Sequence, residues 1–312
     1  MDIRTFQPGD EQHQAAIYNE AAAALPKFKP ATTQEVLRRT AARDFDPSMR
    51  LFALVEGQPV AYAVFNPNGR VSYPWCRHGH EALAEPLLER MLATMRQRGF
   101  GKAFAAYRGD WTSVLEFFKQ HGFKVAREMV NYFMDIFDMP TVPARRSHIT
   151  PLRPGDIATL FTLAPQVVGA RTALELEQYL CHNPYFPPEA IFVLRGTKDP
   201  APRGAALLIT EPTYADPKVV DSAMPCFRLG AFGTEGMQTK RIKGMFSFLC
   251  PDEPRCGAVA VDLVSHAANL LSDSDDISGL AAQVPSDASN WLRYYQSNFR
   301  RQGSFPVLEC KF

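Results

Sequence analysis

What the chain lacks narrows it first. No uninterrupted apolar run approaches the roughly 18 residues of a membrane-spanning helix, so a membrane is not an expected partner. The first residues, MDIRTFQPGD, carry acid early and hold no apolar core; they read as a strand and turn of the mature chain, not as a secretory signal. The six cysteines, at 76, 181, 226, 250, 256 and 310, form no CxxC pair, and most sit beside apolar residues. Reduced, partly buried thiols in a cytoplasmic protein are expected, and zinc ligation is not. Charge of one sign is lacking too: 34 Lys and Arg against 33 Asp and Glu leave a net charge of +1. That balance gives no broad cationic field for a nucleic acid or an anionic surface.

What is present is a repeat. At 312 residues and 46% hydrophobic content the chain is globular and suits two domains of about 150 residues. IRTFQPGD from Ile3 returns as ITPLRPGD from Ile149, each an extended start followed by a Pro-Gly-Asp turn at Pro8 and Pro154. TTQEVLRR and RTALELEQ both carry capping-box spacing, Thr32 with Glu35 and Thr172 with Glu175, which predicts a helix start in each copy. LFALVEGQPVAYAVF from Leu51 matches IFVLRGTKDPAPRGAALLI from Ile191 as two apolar strands around a polar turn. GRVSYPWCRHG from Gly69 then aligns with KGMFSFLCPDEPRCG from Lys243. The offset between copies grows from about 140 to about 175 residues here, so about 214–242 is an insertion in the second copy.

A helix follows in each copy, EALAEPLLERMLATMRQRG and GAVAVDLVSHAANLL, then a small-residue strand, KAFAAYRGD and SGLAAQVPSD. SVLEFFKQHG and NWLRYYQSNF come next as amphipathic helices of one design, two phenylalanines in the first and two tyrosines in the second. Gly122 and Asn298 are the expected left-handed ends of these helices. A final strand closes each copy. The expected organisation is an N-terminal domain at 1–137, a Pro-rich basic linker at 138–148, and a C-terminal domain at 149–312.

The order strand, two helices, three strands, helix, strand, helix, strand, with LEFFKQHGFKVAREM near the end of the first copy, resembles the GNAT superfamily of acyl-CoA-dependent N-acyltransferases. The resemblance covers nearly the whole chain twice. It implies an α/β (α+β) fold of two tandem GNAT-like domains, each a mixed, mainly antiparallel sheet flanked by helices. In that family a turn between the fourth strand and the third helix reads Gln or Arg, x, x, Gly, x, Gly or Ala, and its amides hold the coenzyme A pyrophosphate at a helix N-terminus. The candidates here are CRHGHEA and PRCGAVA, both Arg-x-Gly-x-x-Ala, a departure from the family spacing. Implied coenzyme contacts are Arg255, Cys256, Gly257 and Ala258, with Cys250 before them, and Arg77, His78, Gly79 and His80 in the first copy. His78 and His80 have no third ligand at usable spacing, so no metal is expected.

Cys250 lies where family members part the fourth strand from the next to admit the acyl group. With no activating base in sight it reads as small apolar packing. Asp252 and Glu253 could help deprotonate an incoming ammonium. The resemblance assigns to Tyr295 the proton donor for the departing thiolate, with Tyr294 its neighbour about 100° round the helix, and puts Phe118 at the matching place in the first copy. The expected activity is acetyl transfer from acetyl-CoA to an amine of a small molecule or protein, catalysed mainly by the C-terminal domain. The alternative is a non-catalytic acyl-CoA-binding or scaffold protein with degenerate domains. Aminoacyl transfer from charged tRNA is disfavoured by the near-neutral charge.

Overall fold

The computed structural model describes residues 2–41, 45–135, 138, 148–163, 172–182, 188–196, 199–209, 242–250, 253–272 and 279–312, with 179, 242–249, 272 and 281 described by backbone alone. The predicted insertion up to 241, most of the linker, and Asp252 lie outside these residues.

The chain forms two compact units, one of Met1–Glu128 with Phe305–Phe312, the other of Met129–Ser304. In the first, β1 (Asp2–Thr5), β2 (Arg50–Val55), β3 (Gln58–Val64) and β4 (Trp75–Cys76) form an antiparallel sheet in chain order. Its hairpin turn falls on Glu56 and Gly57, both at positive φ (51° and 77°), the conformation a two-residue turn needs to match strand twist. Helices α1 (Asp10–Ala22), α2 (Thr33–Thr40), α3 (Ala84–Gln97) and α4 (Thr112–Gln120) flank strand β5 (Lys102–Ala106) and the sheet. The capping box that opens α2 is complete: the Glu35 N–H donates to Thr32 Oγ1 at 3.2 Å, and the Thr32 N–H donates to Glu35 Oε2 at 2.7 Å.

The second unit holds β7 (Ile149–Pro151), α5 (Ile157–Leu163), α6 (Ala173–Cys181), β8 (Ile191–Arg195), β9 (Pro202–Ile209), β10 (Ile242–Leu249), α7 (Cys256–Ser272), β11 (Gly279–Pro285) and α8 (Ser289–Asn298). Its strands pair in the order β11-β10-β9-β8-β7, with β10 and β11 parallel and the rest antiparallel.

The compact units do not coincide with the repeat boundaries. The strand that closes the first repeat, β6 (Lys124–Asp135), pairs from Met129 to Asp135 with β11 of the second unit. The strand that closes the chain, β12 (Arg300–Lys311), pairs from Val307 to Lys311 with β5 of the first. Each repeat therefore lends its last strand to the other repeat's sheet. Antiparallel pairing needs an edge of matching register, and either edge can serve whatever its distance along the chain.

A correction concerns Asn298. Among the described residues positive φ outside glycine occurs at Lys27 and Glu56, so Asn298 is not left-handed. It stays helical, and its side-chain amide donates to the Tyr294 carbonyl at 2.7 Å, satisfying a helix-end acceptor. Gly122 does take the left-handed form, at φ +84°.

The repeated Pro-Gly-Asp turn acquires a physical reason. Asp10 is held bidentately by Arg4 at 2.6 and 2.9 Å, and Asp156 by Arg195 at 2.8 Å on both oxygens. Burial raises the Asp156 pKa, but the Arg195 guanidinium and the Arg153 N–H outweigh it and hold the carboxyl below its ordinary value. Because the folded pKa is depressed, the pair's contribution is complete above the unfolded value of about 3.9 and is lost as pH falls through the folded one. Both side chains are at most 10% exposed, so Asp156→Asn should destabilise the second unit by about 3–5 kcal/mol. Urea titrations at pH 7 and pH 3 check this. An equal loss at both pH values would mean that the carboxylate charge is not what the turn uses.

Candidate active site

In the second unit β10 stays paired with β9 as far as Leu249 opposite Ala205, but its pairing with β11 ends at Phe246 opposite Ala282. β11 runs on to Pro285. Beyond Phe246 the two parallel strands part, leaving the backbone of Ser247–Leu249 without a β11 partner on that side.

Cys250 follows the last residue of β10 and packs on the β9 side. It is 2% exposed, and its thiol lies 3.5 Å from the Ala205 carbonyl. A Cβ at Gly204 would collide with the Cys250 sulfur and press on Val259, so the glycine makes room for the thiol. That is the packing role expected from the sequence.

The loop leads at once into α7, a helix of 17 residues. The Cys256 N–H donates to the Glu253 carbonyl at 2.9 Å and the Ala258 N–H to the Arg255 carbonyl at 3.2 Å. Arg255 and Glu253 are exposed and Cys256 is buried. A Cβ at Gly257, in the first turn of the helix, would meet nothing within 4 Å among the described residues; the backbone dipoles at a helix N-terminus favour an anion.

Tyr294 and Tyr295 are both in the second unit's core, 8% and 2% exposed. Tyr295 stacks on Tyr132 of β6 (centroids 5.4 Å, 20°) and packs against Phe299 at 4.8 Å, while Tyr294 meets Trp291 edge-on at 6.1 Å. Burial raises both phenols above the ordinary value; Tyr294, Cys250 and Cys256 push Tyr295 further, and Cys256 pushes Tyr294. The structure thus gathers Tyr294, Tyr295, Cys250 and Cys256 into one neighbourhood of the second unit.

Arg77, His78, Gly79 and His80 lie in the first unit, between β4 and α3. The Arg77 guanidinium is 2.9 Å from Glu20, whose other oxygen accepts the His78 N–H at 2.9 Å. Gly79, at φ +83°, donates its N–H to Glu81 at 3.1 Å. This glycine is required by backbone conformation and not by crowding, since a Cβ there would meet nothing within 4 Å. Phe118 is fully buried and stacks on Tyr107 (5.9 Å, 22°). Cys76, next to the loop, has its thiol pushed up to about 12 by burial and then by Glu81, which makes it unreactive.

Sequence reasoning missed Glu20, Tyr107 and Tyr132. Glu20 acts from 57 positions away, with no local signal. Tyr107 was visible as a difference, since Gln283 stands at its place after the matching Ala-Ala of the second copy.

Among the described residues no group of three or more His, Cys, Asp and Glu could hold a metal ion, and no helix is long and apolar enough to cross a membrane.

No family model and no curated protein sequence matches the chain. Solved structures do. The chain is similar to a GCN5-related N-acetyltransferase from Sphaerobacter thermophilus at TM-score 0.61 and 16% identity, over 99% of this chain and 95% of that one. It is similar to a tandem GNAT protein from the clavulanic acid biosynthesis pathway at TM-score 0.54 and 10% identity, over 99% and 98% of the two chains. A GCN5-related N-acetyltransferase from Kribbella flavida gives TM-score 0.56 and 10% identity, over 99% and 70%. At these identities the likeness is one of fold, a mixed α/β fold shared with these acetyltransferase structures, one of them a tandem GNAT protein.

Proposed function

We propose that the second unit transfers an acetyl group from acetyl-CoA to an amine of a small molecule or protein. The observation that carries this reading is the parting of β10 from β11 beyond Phe246 and Ala282, with Cys250 and Tyr295 in one buried cluster of the same unit. A gap between parallel strands offers backbone N–H groups that a ligand carbonyl can accept from, as an oxyanion site requires.

In the proposed reaction a neutral amine attacks the thioester carbonyl while a β10 backbone N–H polarises its oxygen. The new carbon–nitrogen bond forms as the carbon–sulfur bond breaks. Tyr295 gives its proton to the departing thiolate, and the proton lost by the amine returns by way of solvent to the phenolate. The residues assigned to coenzyme binding are Arg255, Cys256, Gly257 and Ala258, with Cys250 shaping the acyl end. No covalent enzyme intermediate and no metal enters. A cytoplasmic location belongs to the same reading, which the free thiols of Cys76, Cys181 and Cys310 support.

A second reading, acyl-CoA binding without turnover, is favoured by one observation: Tyr295 is 2% exposed and packed among rings. Calorimetry with acetyl-CoA on wild type and Arg255→Ala tests what the two readings share. Wild type should bind, and loss of one charge-assisted phosphate contact should weaken binding about tenfold. Absence of binding at millimolar acetyl-CoA would remove both readings together. Binding without acetyl transfer across an acceptor screen would leave the second.

A further inference from the structure

The first unit carries the same loop and the same kind of strand opening, and both are filled. Consecutive N–H groups at a loop entering a helix form a concavity that attracts anions. In the first unit those groups belong to His78 and Gly79, and each already meets a carboxylate: Glu20 at 2.9 Å and Glu81 at 3.1 Å. Glu20 also takes the one arginine of the loop, Arg77, at 2.9 Å. The anions of this site are the protein's own.

The strand side is closed in a separate way. The Val71 N–H bonds to the Phe104 carbonyl of β5 at 2.8 Å. Two residues on, where a β5 partner would be lost, the Tyr73 N–H donates to the Tyr107 phenol oxygen at 2.6 Å. Tyr107 is held there between Trp111 and Phe118, stacked at 5.7 and 5.9 Å, and the Tyr73 ring packs edge-on against Trp75 and Phe117 at 4.9 Å from each. In the second unit the matching residue, Gln283, turns instead to Asn131 of β6, donating to its side-chain oxygen at 2.7 Å. The two units therefore differ at the same place in the repeat: a phenol closes one opening, and an amide faces away from the other.

We infer that the first unit is shut to coenzyme A by resident side chains, with Glu20 and Glu81 occupying its phosphate loop and Tyr107 its strand opening, so that the chain takes one coenzyme and not two. Pyrophosphate entering this loop would have to part Arg77 from Glu20 and bring its charge against two carboxylates, while pantetheine would meet packed rings. The count of one rests on the proposed reading of the second unit; the closure of the first does not.

Two probes separate these. Coenzyme A titrated into the full chain in the calorimeter should give a stoichiometry of one. Inorganic pyrophosphate should bind the Glu20→Ala/Glu81→Ala variant about tenfold more tightly than wild type, and adding Arg77→Ala should abolish the gain. Should the double variant fail to fold by its thermal transition, Glu20→Gln/Glu81→Gln removes the charge with the shape kept and is read the same way. A stoichiometry of two, or no gain in pyrophosphate affinity, overturns the inference. Wild type that takes no coenzyme at all would end the transferase reading of the second unit, and the pyrophosphate arm would still decide the closure of the first.

Discussion

Tyr295→Phe is expected to lower single-turnover acetyl transfer by about 10² to 10⁴, or roughly 3–5 kcal/mol of barrier, with little change in acetyl-CoA affinity. A phenol keeps its proton at neutral pH and can pass it to a thiolate as the carbon–sulfur bond breaks; phenylalanine has the same ring and no proton to give. Burial raises the Tyr295 pKa, and Tyr294, Cys250 and Cys256 add to the shift. The acid form therefore persists above pH about 10, where a free phenol ionises, and activity should show no loss from this group as pH rises to that point. The same burial makes the phenolate costly, so the proton must be restored within the turnover. Tyr294→Phe is the control, because its ring lies at 76° to that of Tyr295 and meets Trp291. Retained turnover in Tyr295→Phe with loss in Tyr294→Phe would put the acid one residue earlier. Retention in both would make the phenols structural and favour the non-catalytic reading.

The parts of the fold legible in the sequence were those whose chemistry is local. Thr32 and Glu35 announce α2 because both halves of the capping box lie within one turn. The Glu-Gly turn announces the β2–β3 hairpin for the same reason. Cys250, with no activating base in its sequence surroundings, reads as packing, and Gly204 supplies the space the sulfur fills.

What could not be read was set by partners far away in the chain. The repeat order marks the end of the second copy as a closing strand, yet nothing in it says that the partner of β12 is β5, some 200 positions earlier. Asn298 failed for a different reason. Asparagine ends helices either by left-handed backbone or by its side-chain amide, and composition does not choose between them. In the proposed site, the tyrosine pair and the two loops are marked by the resemblance alone, whereas the carboxylates that meet one loop are brought there only by folding. Whether either loop holds phosphate was therefore beyond the Arg-x-Gly-x-x-Ala pattern they share.

Removal of residues 305–312 should unfold the first unit while leaving the second unit's sheet protected. Val307–Lys311 is the antiparallel partner of Lys102–Ala106. Leu308, fully buried, belongs to the first unit's core together with Ala103, Ala105 and Leu115. Glu309 is gripped by Lys102 at 2.8 Å and Arg127 at 3.2 Å, and the Phe312 N–H bonds to the Gly101 carbonyl at 3.1 Å. Truncation would strip β5 of its ladder, open the core at Leu308 and leave both cations without Glu309. Leu308→Ala is the milder form, with an expected loss of about 2–5 kcal/mol from the missing side chain and the cavity it leaves. Hydrogen exchange followed by mass spectrometry distinguishes the units. Protection should fall across 50–64 and 102–106, where β2, β3 and β5 lie, and persist across 191–209, where β8 and β9 lie. Full protection of 102–106 in the truncated chain would show that β5 does not depend on the end of the chain, and the strand exchange would then lose its energetic meaning.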